Sequence, residues 1–308
     1  MPINYLIYVI SAAAFLFMII NITLLFAGCA GRGYLLTFFG RREEPSVLAP
    51  YMRFISGSRF FSAKAPRSLY YSCLSLIAVY YFVPIGAFSS FIQIRGGVLL
   101  MLFFLVLAQI FCLHGLRGYS EKFSRSLEKD QQDLMLKFTM AFLPVCCAFA
   151  WFAQTTGIPG DLLGLSAYTA VPLFETANLW GKAGLLFFFM SLAFVSPCGL
   201  TRGCEAPEYI SLLEVFDGLR ASLAPVIITA LFVPWNVSGA LGLSSASMFA
   251  ADFAAFWVKV FVMQMAVIPP LRALYRGMQK SLPGWAGSYL FLLFSLVGAL
   301  CFFANLYL

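Results

Sequence analysis

The chain has 308 residues, of which 61% are hydrophobic and 11% charged, and its formal net charge is +7. Soluble globular domains carry charge on about a quarter of their residues, so this composition excludes an ordinary soluble core. The basic residues cluster between apolar runs, which accounts for the positive balance and leaves little for a nucleic-acid or acidic-substrate reading to explain.

A helix needs about 20 mostly apolar residues to cross the hydrocarbon of a bilayer, so the distance between charges is the informative measure. Uncharged runs cover residues 1–31, 68–94, 96–116, 138–160, 183–201, 221–251 and 281–308, and 253–271 is apolar except for Lys259. These runs predict an all-α, polytopic membrane protein with about eight transmembrane helices, forming one domain over residues 1–308. The first run, Tyr5 to Phe26, has no positive residues before it and exceeds a signal-peptide core, so it reads as a retained helix. A further apolar stretch, Leu162 to Phe174, contains Pro172 and is too short to span. Alternate loops, at about 30–66, 117–137, 201–220 and 272–286, hold, with Arg67 at the edge of the first, 17 of the 20 basic residues. That bias predicts cytoplasmic loops on this side and both termini outside the cytoplasm.

In the first loop, Tyr51, Phe54 and Ile55 alternate with Arg53 and Arg59, a pattern that fits a short interfacial helix or a membrane-hugging loop. In the second, Ser120 to Phe138 is rich in Glu, Lys and Gln and reads as a solvated helix, with Glu121 and Arg125 one turn apart. The third, Thr201 to Pro225, holds Glu205, Glu208, Glu214 and Asp217, with Arg202 and Arg220 available to neutralise some of them. Carboxylates at an apolar boundary take up protons more readily, because desolvation disfavours the charged form. These acids are therefore candidates for a proton or charge relay, against the plainer alternative of loop ion pairs.

Lys259 is the clear anomaly inside an apolar run, and it needs a carboxylate, a carbonyl or water. Asp252 stands seven residues before it, about 10 Å along a helix. Glu208, Glu214 and Asp252 are the candidate carboxylates. The eight cysteines form no CxxC pair and the only histidine is His114, so ligands for a zinc site or a cysteine-held cluster are lacking.

Phe256-Trp257-Val258-Lys259, then Ile268-Pro269-Pro270-Leu271-Arg272, then Trp285, follow one another in the last third. This order resembles the membrane subunit of respiratory complex I known as NADH-quinone oxidoreductase subunit 1, and its counterpart in energy-converting hydrogenases and formate hydrogenlyases. Lys259, Pro269 and Arg272 match that family's pattern, and Pro270 replaces its first arginine. Gly40-Arg41-Arg42, Pro45, Pro50 and Gln131-Gln132 are similar to further family features. Lys137 stands where the family has a glutamate, and Arg53 and Ser56 stand where it commonly has aspartate and lysine.

The resemblance implies a non-catalytic membrane-anchoring and energy-coupling subunit in a prokaryotic cytoplasmic membrane. It would link a cytoplasmic redox arm, docked at Arg41, Arg42 and Arg53, to antiporter-like membrane subunits that move protons or sodium. It implies relay roles for Glu205, Glu208, Glu214 and Lys259. It implies no cofactor in this chain, with iron-sulfur clusters and nickel-iron or quinone chemistry in the partners. A secondary transporter and an autonomous lipid-modifying membrane enzyme are the alternative readings.

Overall fold

The structure, a computed structural model, describes residues 66–83, 97–116, 136–137, 140, 179–195, 210–233, 237, 245–283, 287 and 289–307. Every regular element among them is helical: α1 (Arg67–Phe82), α2 (Gly97–Leu116), α3 (Leu179–Val195), α4 (Ile210–Phe232), α5 (Ser245–Val262), a π turn (Met263–Val267), α6 (Ile268–Ser281) and α7 (Leu290–Tyr307). α5, the π turn and α6 run on as one rod, so the described residues hold six continuous rods.

Prolines set where three of these helices stop. α1, α4 and α6 end at Phe82, Phe232 and Ser281, and in each case a proline stands two residues on: Pro84, Pro234 and Pro283. The pyrrolidine ring disfavours the helical region at the residue before a proline, and at these ends the chain leaves the helix there, whereas Pro225, Pro269 and Pro270 stay within helices. Leu282 shows the result, with φ −102° and ψ 155°.

This punctuation corrects the expectation of eight transmembrane helices with both termini outside the cytoplasm. Among the described residues, two helices are long and apolar enough to cross a membrane, Leu99–Leu116 and Ala251–Ser281. Leu179–Phe194, Gly218–Ala230 and Leu290–Ala304 are apolar but shorter. A charge-free run bounds a helix only from above. In the run 68–94 the helix Arg67–Phe82 stops before Pro84. The run 96–116, which contains no proline, is helical from Gly97 to Leu116. The N-terminal run and the run 138–160 lie outside the described residues, apart from Met140. Two basic stretches expected as loops are partly helical: α4 begins at Ile210, and α6 reaches Ser281.

The chain forms two compact units. The first comprises Met1–Ala78, Leu107–Glu128 and Pro197–Ser222. In it Gly115 of α2 meets α1 so closely that a Cβ there would lie 2.6 Å from Leu69. Tyr71 and Phe111 pair their rings at 5.6 Å. The Cys73 thiol of α1 points at the Leu212 carbonyl of α4, 3.8 Å away. Leu69, Leu76, Leu212, Phe216 and Leu219 are buried there.

The second unit comprises Val79–Val106, Lys129–Ser196 and Leu223–Leu308. Its best-packed element pair is α3 against α7, which run antiparallel. A Cβ on Gly298 would lie 2.6 Å from the Phe188 ring and 3.1 Å from the Gly184 carbonyl oxygen, while one on Gly184 would lie 3.0 Å from the Gly298 carbonyl oxygen. Phe188 stacks on Phe302 with ring centroids 5.4 Å apart, and Ser191 donates from its hydroxyl to the Phe291 carbonyl at 2.9 Å. Small residues that let backbones approach, with a hydroxyl bonded across the interface, are the means by which helices associate in lipid, where apolar burial gives little drive. One end of the pair carries a cluster around Phe194 and Phe291, joined by Leu271, Tyr275 and Met278 of α6.

The faces turned away from these contacts are apolar. On α7, Leu293, Leu296, Leu300 and Phe303 are exposed at spacings of three and four, so they line one side of the helix. Val258, Phe261 and Val262 of α5 and Leu99, Phe103 and Ile110 of α2 are exposed as well. Only 39% of either membrane-length window is buried, whereas the core helix of a soluble protein is mostly buried.

Candidate functional site

The rod from Ala251 to Ser281 carries the site. At about 1.5 Å per residue a rod of 31 residues is roughly 46 Å long, more than a hydrocarbon core requires. Its first half holds two charges, and both are anchored on the segment that leaves α4. Lys259 donates from Nζ to the Val233 carbonyl at 3.0 Å. Asp252, 2% exposed, accepts the Val237 backbone N–H on Oδ1 at 3.0 Å.

The local sequence explains why these backbone groups need side chains. Val233 N–H closes the last turn of α4 on Thr229 O at 3.0 Å, and Pro234 then has no N–H to continue the ladder. The Val233 carbonyl at the helix end is taken by the ammonium, which also sits favourably at the negative end of the α4 dipole. Asp252 and Lys259 are about 10 Å apart along α5, and they hold backbone groups of Val233 and Val237, four residues apart in sequence.

The second half of the site is the π turn. Pro269 and Pro270 cannot donate to the carbonyls of Met265 and Ala266, and their rings collide with those carbonyls in a regular α-helix. The rod absorbs this by widening one turn, closed by Ile268 N–H on Met263 O, before α6 resumes. Gln264 lies in the wide turn, 2% exposed, and its amide oxygen has no hydrogen-bond partner among the described residues. The buried Thr229 hydroxyl of α4 likewise has none. Sequence reading did not single out Gln264. The Pro269-Pro270 pair four and five residues beyond Met265 was the available signal, since it strips two carbonyls inside an apolar helix.

The remaining predicted site residues fall as follows. Glu214 lies in α4, in the first unit, whereas Lys259 belongs to the second. Glu205 and Glu208 lie outside the described residues, as do Arg41, Arg42 and Arg53. Arg220, expected in a cytoplasmic loop, is instead a buried residue of α4 with its guanidinium over the Phe216 ring, 5.5 Å from the centroid. Lys137 is helical and half-buried, and His114 is exposed on α2. Cys73, Cys112 and Cys301 are buried free thiols. Among the described residues no group of three His, Cys, Asp or Glu side chains is placed to hold a metal.

Fold and site together define a helical protein with, among the described residues, two apolar helices of membrane-spanning length, suited to at least partial association with a membrane. No family model matches the chain, and a comparison with curated proteins finds no match to it.

Proposed function

We propose that this chain is a membrane-anchoring and energy-coupling subunit of a multisubunit oxidoreductase of the complex I or energy-converting hydrogenase type, in a prokaryotic cytoplasmic membrane. The observation that carries the proposal is the pair of charges in the apolar rod, Asp252 and Lys259, clamped on the end of α4 and followed by a π turn at Pro269-Pro270. A charge held on a backbone carbonyl can change partners when the helix supplying that carbonyl moves, which is the property a coupling element requires. α4 supplies Glu214 near its start and leads to Val233 at its end. In this reading, proton uptake by Glu205, Glu208 or Glu214 shifts α4 and is felt at Lys259. Redox-arm subunits dock at Arg41, Arg42 and Arg53, antiporter-like subunits lie alongside in the bilayer, and the iron-sulfur, nickel-iron or quinone chemistry belongs to those partners.

A second reading, a secondary transporter, draws on the break in the apolar rod at Gln264, since interrupted helices with buried polar groups form the substrate sites of such proteins. One experiment separates the two. The tagged native chain is purified in gentle detergent and its companions are identified by mass spectrometry. Recovery of iron-sulfur and hydrogenase-type or quinone-reductase-type subunits with antiporter-like proteins supports the coupling-subunit reading. Recovery of the chain alone, stable and homogeneous, overturns it in favour of transport.

A further inference from the structure

α6 has two faces of different chemistry. Leu271, Tyr275 and Met278 turn inward onto Phe194 and Phe291, with the Tyr275 ring stacked on Phe194 at 4.8 Å. Arg276 and Lys280 are exposed on the outward side, four residues apart and thus on one face, and Arg272 precedes Arg276 by the same interval in sequence. Leu274, 50% exposed, and Leu282 flank them with apolar surface.

The charge on this helix is unopposed over a long stretch. Residues 253–308 contain Lys259, Arg272, Arg276 and Lys280 and no Asp or Glu. Neither Arg276 nor Lys280 forms an ion pair among the described residues. The helix continues directly from the apolar α5, so its polar face begins where the hydrocarbon-compatible part of the rod stops. The exposed Tyr289 follows within ten residues, as a residue of an aromatic belt does at a membrane surface.

We propose that the outward face of α6, through Arg276 and Lys280, seats on the phosphate groups of anionic membrane phospholipids. The proposal rests on the membrane association of the chain and is independent of the oxidoreductase reading. Lysine and arginine chains reach from an amphipathic helix to the headgroup layer while their stems cover apolar surface, and each such charge adds to attraction for an anionic leaflet.

The test uses the full chain in lipid discs made of phosphatidylcholine mixed with phosphatidylglycerol, with the retained lipids weighed against the input ratio. Wild type is expected to enrich phosphatidylglycerol, and R276Q/K280Q to lose that enrichment by roughly five-fold per charge removed. K182Q, which removes an exposed lysine from α3, is the control and is expected to leave it unchanged. Raised salt is expected to reproduce the double variant. Equal enrichment in wild type and R276Q/K280Q overturns the proposal, as does equal loss in K182Q. Absence of any lipid preference together with co-purification of an acidic protein overturns it too, and assigns the face to a protein partner. Release of the wild-type chain from native membranes by alkaline carbonate is read separately, and overturns membrane association itself.

Discussion

The ammonium of Lys259 in α5 bonds the carbonyl oxygen of Val233, the first residue past the end of α4, at 3.0 Å. The one lysine inside the rod's apolar stretch thus caps a helix that a proline has stopped.

Removal of Lys259 leaves that carbonyl unpaired in a half-buried place. Lys259→Met is expected to lower stability in detergent by about 1 to 2 kcal/mol, because an orphaned acceptor loses its desolvation compensation. Lys259→Arg, which keeps a donor, is expected to retain most of it. Under the proposed coupling role, Lys259→Ala is expected to reduce ion pumping by the complex more than its assembly. An assembled complex with normal pumping after that change sinks the coupling role.

Asp252 gives a sharper contrast. Its Oδ1 accepts one backbone N–H, and Asp252→Asn keeps an acceptor there whereas Asp252→Ala does not. The alanine variant is expected to lose about 1 to 3 kcal/mol and the asparagine variant clearly less. Since Asp252 and Lys259 hold one segment, the combined variants are expected to depart from additivity by about 0.5 kcal/mol or more. Thermal unfolding of the two singles and the double checks this, and strict additivity would show that the segment is not a shared element.

The α3/α7 interface makes its own prediction. A methyl group on Gly298 collides with the Phe188 ring and crowds the Gly184 carbonyl. Gly298→Ala is expected to cost about 1 to 3 kcal/mol by overpacking, and Phe188→Leu in the same chain to recover part of it by making room. A Gly298→Ala protein that melts with wild type would mean that the two helices are not held this closely.

Tyr275 separates ring from hydroxyl. The ring stacks on Phe194, while the hydroxyl reaches Gly287 O at 3.3 Å in a partly buried place. Tyr275→Phe is expected to cost under about 1 kcal/mol, and Tyr275→Ala about 2 to 3, in the same melting assay. Equal effects would assign the anchoring to the hydroxyl.

Cys73, Cys112 and Cys301 are buried. A thiol-reactive fluorescent maleimide is expected to leave them unmodified in the native protein and to label them as the protein melts. Labelling of these positions below the transition, mapped by mass spectrometry, would contradict the packing of α1, α2 and α7.

Much of the helical character was legible because apolarity is a local property. The run 96–116 and α2 nearly coincide, since no proline lies within it. At α1, which stops short of Pro84, counting uncharged residues overstated the helix, and among the described residues two helices, not eight, are long and apolar enough to span. The prolines themselves were visible, and the residue-before-proline restriction accounts for the ends of α1, α4 and α6, although Pro225, Pro269 and Pro270 stay within helices.

Of the candidate site, Lys259 was conspicuous as a charge among apolar residues, and Asp252 was recognised as a neighbour seven residues away. Their partners were not legible. The carbonyl of Val233 and the N–H of Val237 belong to the main chain, which every residue has, so nothing in the side-chain sequence marks which backbone group is exposed to a charge. Arg220 was misplaced for a related reason. Its charge suggested a loop, but a guanidinium can lie buried over an aromatic ring when the helix carries it there.

The sequence by itself determined that the chain is apolar and helical, and that a lysine stands inside an apolar segment, because these depend on residue types and their spacing along one strand of chain. Only the tertiary structure decided which glycines touch, which backbone groups Asp252 and Lys259 hold, and that α6 turns Tyr275 inward and Arg276 outward. Those facts depend on contacts between residues distant in sequence, which arise when helices pack and not when they form.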